Sequence, residues 1–114
     1  MNDLTLSCLA AANRERCREW MGDLPKIKNI AFHALELGGE CGEAQNICKK
    51  IDRWRQGIPG AMHPDDARDS LAEELADVII CCSMVALTLD INLGAAVTNK
   101  FNATSEKHGF KVKL

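Results

Sequence analysis

The stretch SLAEELADVIICCSMVALTL, residues 70–89, decides the fold of this chain of 114 residues. Its apolar residues recur at helical spacing and predict one core-facing stripe. The stripe consists of Leu71, Leu75, Val78, Cys82, Val85 and Leu89. From Val78 to Leu89 the stretch carries no charge, and a helix that is apolar all round needs burial on all sides. A small four-helix monomer can hardly supply that burial, so we expect a homodimer or a homotetramer.

The same helical period runs through most of the remaining chain, while strand-forming residues are sparse. The sequence therefore predicts an all-α, four-to-five-helix bundle that forms a single domain over residues 1–114. We expect its helices at about 5–20, 25–56, 64–89 and 93–107. Gly22 ends the first helix, Asp23 and Pro25 begin the second, and Asn92 caps the last.

Composition narrows the class of protein. Hydrophobic residues make up 46% and charged residues 26%, as in ordinary globular proteins. A net charge of −2 provides no broad basic field for a nucleic-acid polymer, whereas a nucleotide suits this balance. The six cysteines show no CxxC pair or zinc spacing, and no apolar run reaches the roughly 18 residues that span a bilayer. We expect a cytoplasmic protein without a membrane partner.

Three acidic residues share one face of the second predicted helix. Glu36, Glu40 and Glu43 follow i, i+4, i+7 spacing, which places them within an arc of roughly 60°. Like charges so placed repel one another, and three glycines in the same stretch weaken the helix further. Taken alone, such a face is most simply a solvated surface.

A second acidic pair, Glu74 and Asp77, flanks the core stripe of the third helix. If the two helices pack antiparallel, Glu40 and Glu43 converge with this pair across the seam. Four carboxylates cannot all stay ionised there unaided, and a set of oxygen ligands favours a hard cation such as magnesium, with manganese as a substitute. Glu73 also shares a face with Asp77, but it points farther from the stripe. We therefore rank Glu73 below Glu74 as a metal ligand, and Glu36 below Glu40 and Glu43.

These acids lie in two short motifs, Gly39-Glu40-Cys41-Gly42-Glu43 and, after thirty residues, Glu74-Leu75-Ala76-Asp77. The arrangement resembles the MazG-like all-α nucleoside triphosphate pyrophosphohydrolases, a family that includes dimeric dUTPases and dCTP pyrophosphatases. Their pattern is E-E-x-x-E followed by E-x-x-D; here Gly39 replaces the leading glutamate and the spacer is slightly long. The resemblance extends from about Arg14 to Phe110 and includes the segment NKFNATSEKHGF, residues 99–110.

The resemblance implies magnesium-dependent hydrolysis of a nucleoside triphosphate to a monophosphate and pyrophosphate. The metal ligands would be Glu40, Glu43, Glu74 and Asp77, with Glu40 or Glu43 also serving as the catalytic base. Lys100 and Asn102 match the region in which related enzymes present basic and amide groups to the phosphates. This chain departs there from the frequent arginine-rich version.

Other candidates for substrate contacts come from the residues themselves. Lys50 lies one heptad beyond Glu43 and could reach a phosphate, although a solvated lysine explains it equally well. The candidates to flank a base are Trp20, Phe32, His33 and Trp54, but aromatic side chains at helical spacing are more often part of a core.

Two alternatives use the same residues differently. A non-catalytic helical oligomer, serving as an interaction module, would keep its acids as a solvated or salt-bridged face and would bind no metal. A carboxylate-bridged di-iron bundle normally needs Glu-x-x-His ligands, which neither acidic pair supplies.

Overall fold

The computed structural model describes residues 3–22 and 28–114. Within these residues the chain forms helices and no strands, so the all-α prediction is confirmed. The helices are α1 (Leu6–Met21), α2 (Ile30–Gln56), α3 (Pro64–Thr88) and α4 (Leu93–His108). The predicted bounds of α1, α3 and α4 agree with the structure to within one residue.

The predicted second helix, over residues 25–56, does not continue through residues 28 and 29. Lys28 lies in a turn, and the helix begins at Ile30 because Asn29 caps it. The Asn29 side chain accepts a hydrogen bond from the backbone N–H of Phe32 at 3.1 Å, which satisfies one of the free donors of the first turn. The cap and first-turn residue that the sequence suggested, Asp23 and Pro25, lie outside the described residues.

The helices α2 and α3 form an antiparallel hairpin that carries the acidic residues. Gly57 ends α2 in the left-handed conformation, with φ of 67°, and its N–H bonds to the carbonyl groups of Arg53 and Trp54. The loop then folds back against α2, where the Met62 N–H donates to the Lys50 carbonyl at 3.0 Å. His63 caps α3 by accepting from the Asp65 N–H at 3.1 Å. This short connection holds the two long helices side by side.

The core is built from small side chains, which corrects the predicted stripe of α3. Leu75 is 51% exposed and Leu89 is also exposed. The buried apolar residues are Cys17, Ala44, Ala67, Ala86 and Leu87. Small side chains let α1 and α2 approach α3 closely, so the larger residues of the stripe fall at the edges of these contacts or outside them.

The last helix leaves the hairpin at a sharp angle. The axis of α4 makes an angle of 105° with that of α3. Its first turn approaches α1, where a Cβ at Gly94 would lie 3.9 Å from the Leu6 Cβ. We call residues 93–114, which comprise α4 and the segment after it, the arm. In the described part of the chain no single helix is long and apolar enough to cross a membrane, although α3 and α4 as a bent pair meet that test of length and composition.

Candidate metal centre

Three of the predicted acids meet across the α2–α3 hairpin. Glu40 comes from α2, and Glu74 and Asp77 come from α3, one turn apart. One carboxylate oxygen from each residue lies within 4.8 Å of the other two. Antiparallel packing causes this convergence, because Glu40 lies about four turns before the end of α2 and the acids of α3 lie about three turns after its start. A single ion could therefore contact all three residues.

Glu43, the fourth predicted acid, lies beside this group on the exposed side of α2. Its side chain is hydrogen-bonded to Glu74 and to Glu40. Two carboxyl groups can share a hydrogen bond only if one of them holds a proton. The structure thus brings all four predicted acids together, three as a compact group and Glu43 as their hydrogen-bonded neighbour.

The crowding of negative charge changes the acidity of the group. A side-chain hydrogen bond that protonated Glu74 donates to Glu43, followed by burial and the charges of neighbouring acids, raises the pKa of Glu74 to about 7. Burial, followed by the charges of Glu43 and Asp77, raises the pKa of Glu40 above its usual range. Both shifts mean that the ionised form of the cluster is unfavourable without a positive partner.

Two oxygens of the cluster lack any partner in the described protein. The Oε2 atoms of Glu40 and Glu74 are buried, and no described residue forms a hydrogen bond with either of them. Buried polar atoms are normally satisfied, so these two indicate a missing positive group. Four carboxylates with no histidine or cysteine among them fit a hard divalent cation such as magnesium or manganese.

A cavity of about 210 Å³ opens next to the cluster, between α1, α2 and α3. Glu40 and Asp77 form part of its wall, which otherwise combines apolar and aromatic side chains with a few polar ones. The remaining lining residues are Asn13, Arg16, Cys17, Trp20, Met21, Phe32, His33, Glu36, Ile80, Cys81 and Met84. A mostly apolar wall with a few polar groups is typical of a small-molecule site, and the volume of this cavity is below the usual range of about 300–1,000 Å³.

Helix α1 contributes the polar side of this cavity. Asn13 is buried, and its Nδ2 donates to the Ile80 carbonyl at 3.3 Å. Its Oδ1 accepts a hydrogen bond from Arg16 Nη2 at 3.5 Å. Asn13 therefore links α1 to α3 and holds a guanidinium group at the cavity that also contains Glu40 and Asp77.

Cys81 also faces this cavity but is unsuited to be a nucleophile. Burial, followed by the charges of Glu40, Glu36 and Asp77, raises the pKa of the Cys81 thiol. Without a cation beside the acids, a thiol with a raised pKa stays protonated and is a poor nucleophile. The ionisable groups that can act on a ligand in this cavity are therefore the carboxylates and the Arg16 side chain.

The other predicted substrate contacts divide into two groups. His33 is buried and lines the cavity, with its ring centroid 5.4 Å from that of Phe32. Trp54, Lys50, Lys100 and Asn102 are not among the lining residues. Trp54 instead packs edge-on against His63 at a centroid distance of 4.5 Å.

The two candidates from the last segment both lie on the arm. Asn102 forms hydrogen bonds of 3.1 and 2.8 Å with the backbone of Leu114, and Lys100 lines a separate apolar groove beside Phe101. Their side chains thus do not reach the acidic cluster of the same chain in this structure.

Asn13 and Arg16 were not predicted as site residues from the sequence. A signal was present, because Asn13 occupies a position of α1 at which the helical period, through Leu6, Ala10 and Cys17, predicts an apolar side chain. A polar residue on an apolar stripe is either paired inside the protein or part of a site. Here the buried Asn13 is paired with Ile80 and Arg16 at the edge of the cavity.

The chain is similar to the Gene 37 protein of Mycobacterium phage L5. The two are 32% identical over 81 residues, which cover 71% of this chain and 68% of the phage protein. No family model matches the sequence. No solved structure matches it.

Proposed function

Since the chain belongs to the family of the Gene 37 protein of Mycobacterium phage L5, a name that states no activity, we propose a function from the metal centre itself. The proposed function is magnesium-dependent hydrolysis of a nucleoside or deoxynucleoside triphosphate to its monophosphate and pyrophosphate. One observation carries it: the buried, unpartnered Oε2 atoms of Glu40 and Glu74 lie in a cluster of oxygen ligands beside a cavity.

The four acids would have two roles, metal binding and proton acceptance. Glu40, Glu74 and Asp77 would hold the cation, which neutralises phosphate charge and lowers the pKa of a coordinated water. Glu43 is the exposed member and already shares a hydrogen bond with Glu74. It is therefore the better placed of the two predicted bases, Glu40 and Glu43, to accept a proton from an attacking water.

The neighbouring cavity supplies a place for the nucleoside. Trp20 and Phe32 offer aromatic surfaces to a base, and the buried His33 is part of the same wall. Arg16 is the charged group best placed to contact a phosphate or a base edge, since Asn13 holds its guanidinium group at the cavity. The likeness of the two acidic motifs to MazG-like enzymes supports the same reaction.

The test is a pyrophosphate-release assay with each ordinary ribonucleoside and deoxyribonucleoside triphosphate. We expect release only when magnesium or manganese is present. Glu74→Gln should lower the rate about 100-fold or more, since it removes one charged ligand at nearly constant shape. Glu73→Gln is the matched control: it makes the same change at an exposed neighbour outside the cluster and should keep the wild-type rate within about twofold.

A non-catalytic oligomerisation module is the second candidate function. It is favoured by the large apolar side chains that the fold leaves exposed, among them Ile79 and Phe101. Such a module would release no pyrophosphate from any nucleotide and would treat Glu74→Gln and Glu73→Gln alike. The same assay therefore separates the two functions.

A further inference from the structure

A second cavity, of about 360 Å³, lies where α1 passes the junction of α3 and α4. Its volume is within the range of about 300–1,000 Å³ that is usual for small-molecule sites, whereas the cavity beside the acids is smaller. The two cavities have no lining residue in common. A ligand in the second cavity would therefore contact none of the groups assigned to the metal or to the nucleotide.

The ends of two helices form one side of this cavity. Leu87 lies in the last turn of α3, and Leu93 and Gly94 lie in the first turn of α4. Helix α1 forms the opposite side, where a Cβ at Gly94 would lie 3.9 Å from the Leu6 Cβ. The end of a helix has a partial negative charge and its start a partial positive charge. The cavity thus has a partial charge of each sign on its wall.

A basic and an acidic side chain also line the cavity without pairing with each other. Arg14 comes from α1, and Asp90 follows the end of α3. Within residues 3–22 and 28–114, neither side chain forms an ion pair. The described wall therefore offers one unpaired charged group of each sign.

Ser83 adds a buried polar group to the same wall. It is 2% exposed, and no described residue forms a hydrogen bond with its hydroxyl group. Thr88 on the same helix instead donates to the Val85 carbonyl at 2.7 Å, as hydroxyl groups within helices commonly do. Buried polar groups normally have a partner, so the Ser83 hydroxyl indicates a ligand with a hydrogen-bonding group.

We propose that this cavity binds a small zwitterion with an apolar side chain, of the class of free amino acids. Its carboxylate would contact Arg14 and accept a hydrogen bond from Ser83, and its ammonium group would contact Asp90. A simple anion would lie beside Asp90 and a simple cation beside Arg14, so a ligand with both charges fits this wall better than either. The rest of the wall consists mainly of alanine, leucine and isoleucine side chains, which suit an apolar side chain.

The first test compares three ligands of similar shape by two-dimensional NMR titration of the 12.5 kDa chain in EDTA. The ligands are leucine, 4-methylpentanoate, which lacks the ammonium group, and 3-methylbutylamine, which lacks the carboxylate. Leucine should shift the amide signals of Ser83 and Gly94 with a dissociation constant of about 1 mM or below. Each analogue should bind about tenfold more weakly, because it leaves one charged residue unpaired. Equal binding of all three, or leucine shifts confined to residues outside the cavity, would overturn the proposal.

Two variants test the charged contacts separately. Asp90→Asn removes the negative charge and preserves the backbone, because asparagine also adopts the left-handed conformation that Asp90 has, with φ of 53°. It should bind leucine about tenfold more weakly and 4-methylpentanoate no more weakly than the wild type does. Arg14→Gln should weaken both of these ligands about tenfold and leave 3-methylbutylamine unaffected.

Arg18→Gln is the matched control for Arg14→Gln. Arg18 is exposed on the same helix and lies outside the cavity, so this variant should bind all three ligands as the wild type does. Equal losses in the two arginine variants would indicate a general effect of charge on α1. If Asp90→Asn still preferred leucine to 4-methylpentanoate as strongly as the wild type, the ammonium group would not contact Asp90. Either outcome contradicts the proposal.

The buried hydroxyl group is tested by Ser83→Ala, which removes one atom and favours the helix. This variant should keep its helical circular-dichroism signal and raise the dissociation constant for leucine about tenfold. Ser70→Ala makes the same change at an exposed position of α3 outside the cavity and should bind as the wild type does. An unchanged dissociation constant for Ser83→Ala would contradict the placement of the ligand. These measurements use neither nucleotide nor metal, so their failure would leave the proposed hydrolysis unaffected.

Discussion

At the scale of single residues, Glu74 connects the stability of the protein to its proposed metal. Its carboxyl group is hydrogen-bonded to Glu43 and lies close to Glu40 and Asp77, and these neighbours raise its pKa to about 7. Without a cation, the folded protein therefore retains a proton in the cluster up to neutral pH. A divalent cation competes with that proton, so its affinity should increase as the pH rises.

The raised pKa of Glu74 predicts how the stability of the metal-free protein depends on pH. Between the ordinary value of 4.5 and about 7, the folded state keeps a proton that the unfolded state has lost. The free energy of unfolding should therefore decrease as the pH rises through this interval, and the contribution is fully present only below it. Thermal melts in the presence of EDTA at pH 5, 6 and 7.5 would measure the decrease.

The control for this prediction is Glu74→Gln, which cannot titrate. Its melting temperature should fall less between these pH values than that of the wild type, whereas Glu73→Gln should follow the wild type. Equal pH dependence in all three proteins would contradict the assignment of the proton to the cluster.

Arg16 is predicted to act on substrate binding. Asn13 holds its guanidinium group at the cavity beside the acids, but Arg16 is not part of the acidic cluster. Arg16→Ala should raise the KM for the nucleotide about tenfold, the loss of one charge-assisted contact, with little change in kcat. Steady-state kinetics with the preferred nucleotide would measure both constants.

Arg18→Ala provides the matched control for Arg16. Arg18 lies on the same helix, is exposed and pairs with Glu15 at 3.4 Å, outside the cavity. Its replacement should leave the KM unchanged. An equal rise in KM for both variants would indicate a general effect of charge on α1.

At the scale of the elements, α2 continues as one helix through the glycines that the sequence places among its acids. A Cβ added at Gly38 would meet no atom within 4 Å, and no positive φ is required there. Gly38→Ala should therefore stabilise the protein by about 0.5–1 kcal/mol, because it lowers the backbone entropy of the unfolded chain and favours the helix. Urea unfolding at constant pH would measure the change.

Gly57→Ala is the contrasting variant. Gly57 also has open space around it, but its φ of 67° closes α2 in the left-handed conformation. An alanine there should destabilise the protein by about 1 kcal/mol. If both substitutions shifted the urea midpoint in the same direction, the helical conformation at Gly38 would be in doubt.

At the scale of the elements, sequence patterns also predicted most of the helix boundaries. The caps at Gly22 and Asn92 and the apolar period placed three of the four described helices to within a residue. These signals depend on residues a few positions apart, which is why they could be recognised without tertiary information. The sequence assigned the cap of the second helix to Asp23, whereas Asn29, a residue type that caps helices equally well, caps α2 in the structure.

At the scale of the whole molecule, the homodimer or homotetramer expected from the sequence predicts that stability depends on protein concentration. Folding coupled to association favours the native state as concentration rises. The melting temperature of the wild type should increase by several degrees between about 1 and 100 µM chain, whereas that of Phe101→Glu should stay constant. Circular-dichroism melts over this range would show the difference. A concentration-independent wild type would contradict obligate association.

The sequence by itself determined the all-α class, most helix boundaries and the four acids that converge on α2 and α3. Helical period, capping and the short connection between two long helices are local properties, and they bring Glu40, Glu43, Glu74 and Asp77 to one seam. The sequence did not determine which of the larger apolar residues are covered by other helices. Leu75 belonged to the predicted core stripe yet lies exposed, because coverage depends on where other helices cross α3.

Only the tertiary structure decided what surrounds the acids. It placed α1 against α3, which created the cavity and brought Arg16 to it, and it directed the arm away from the hairpin. It also produced the raised pKa of Glu74, which depends on distances between carboxyl groups about thirty residues apart in the chain. Crossing angles and such distances arise from packing between distant segments, and a periodic pattern within one helix does not contain them.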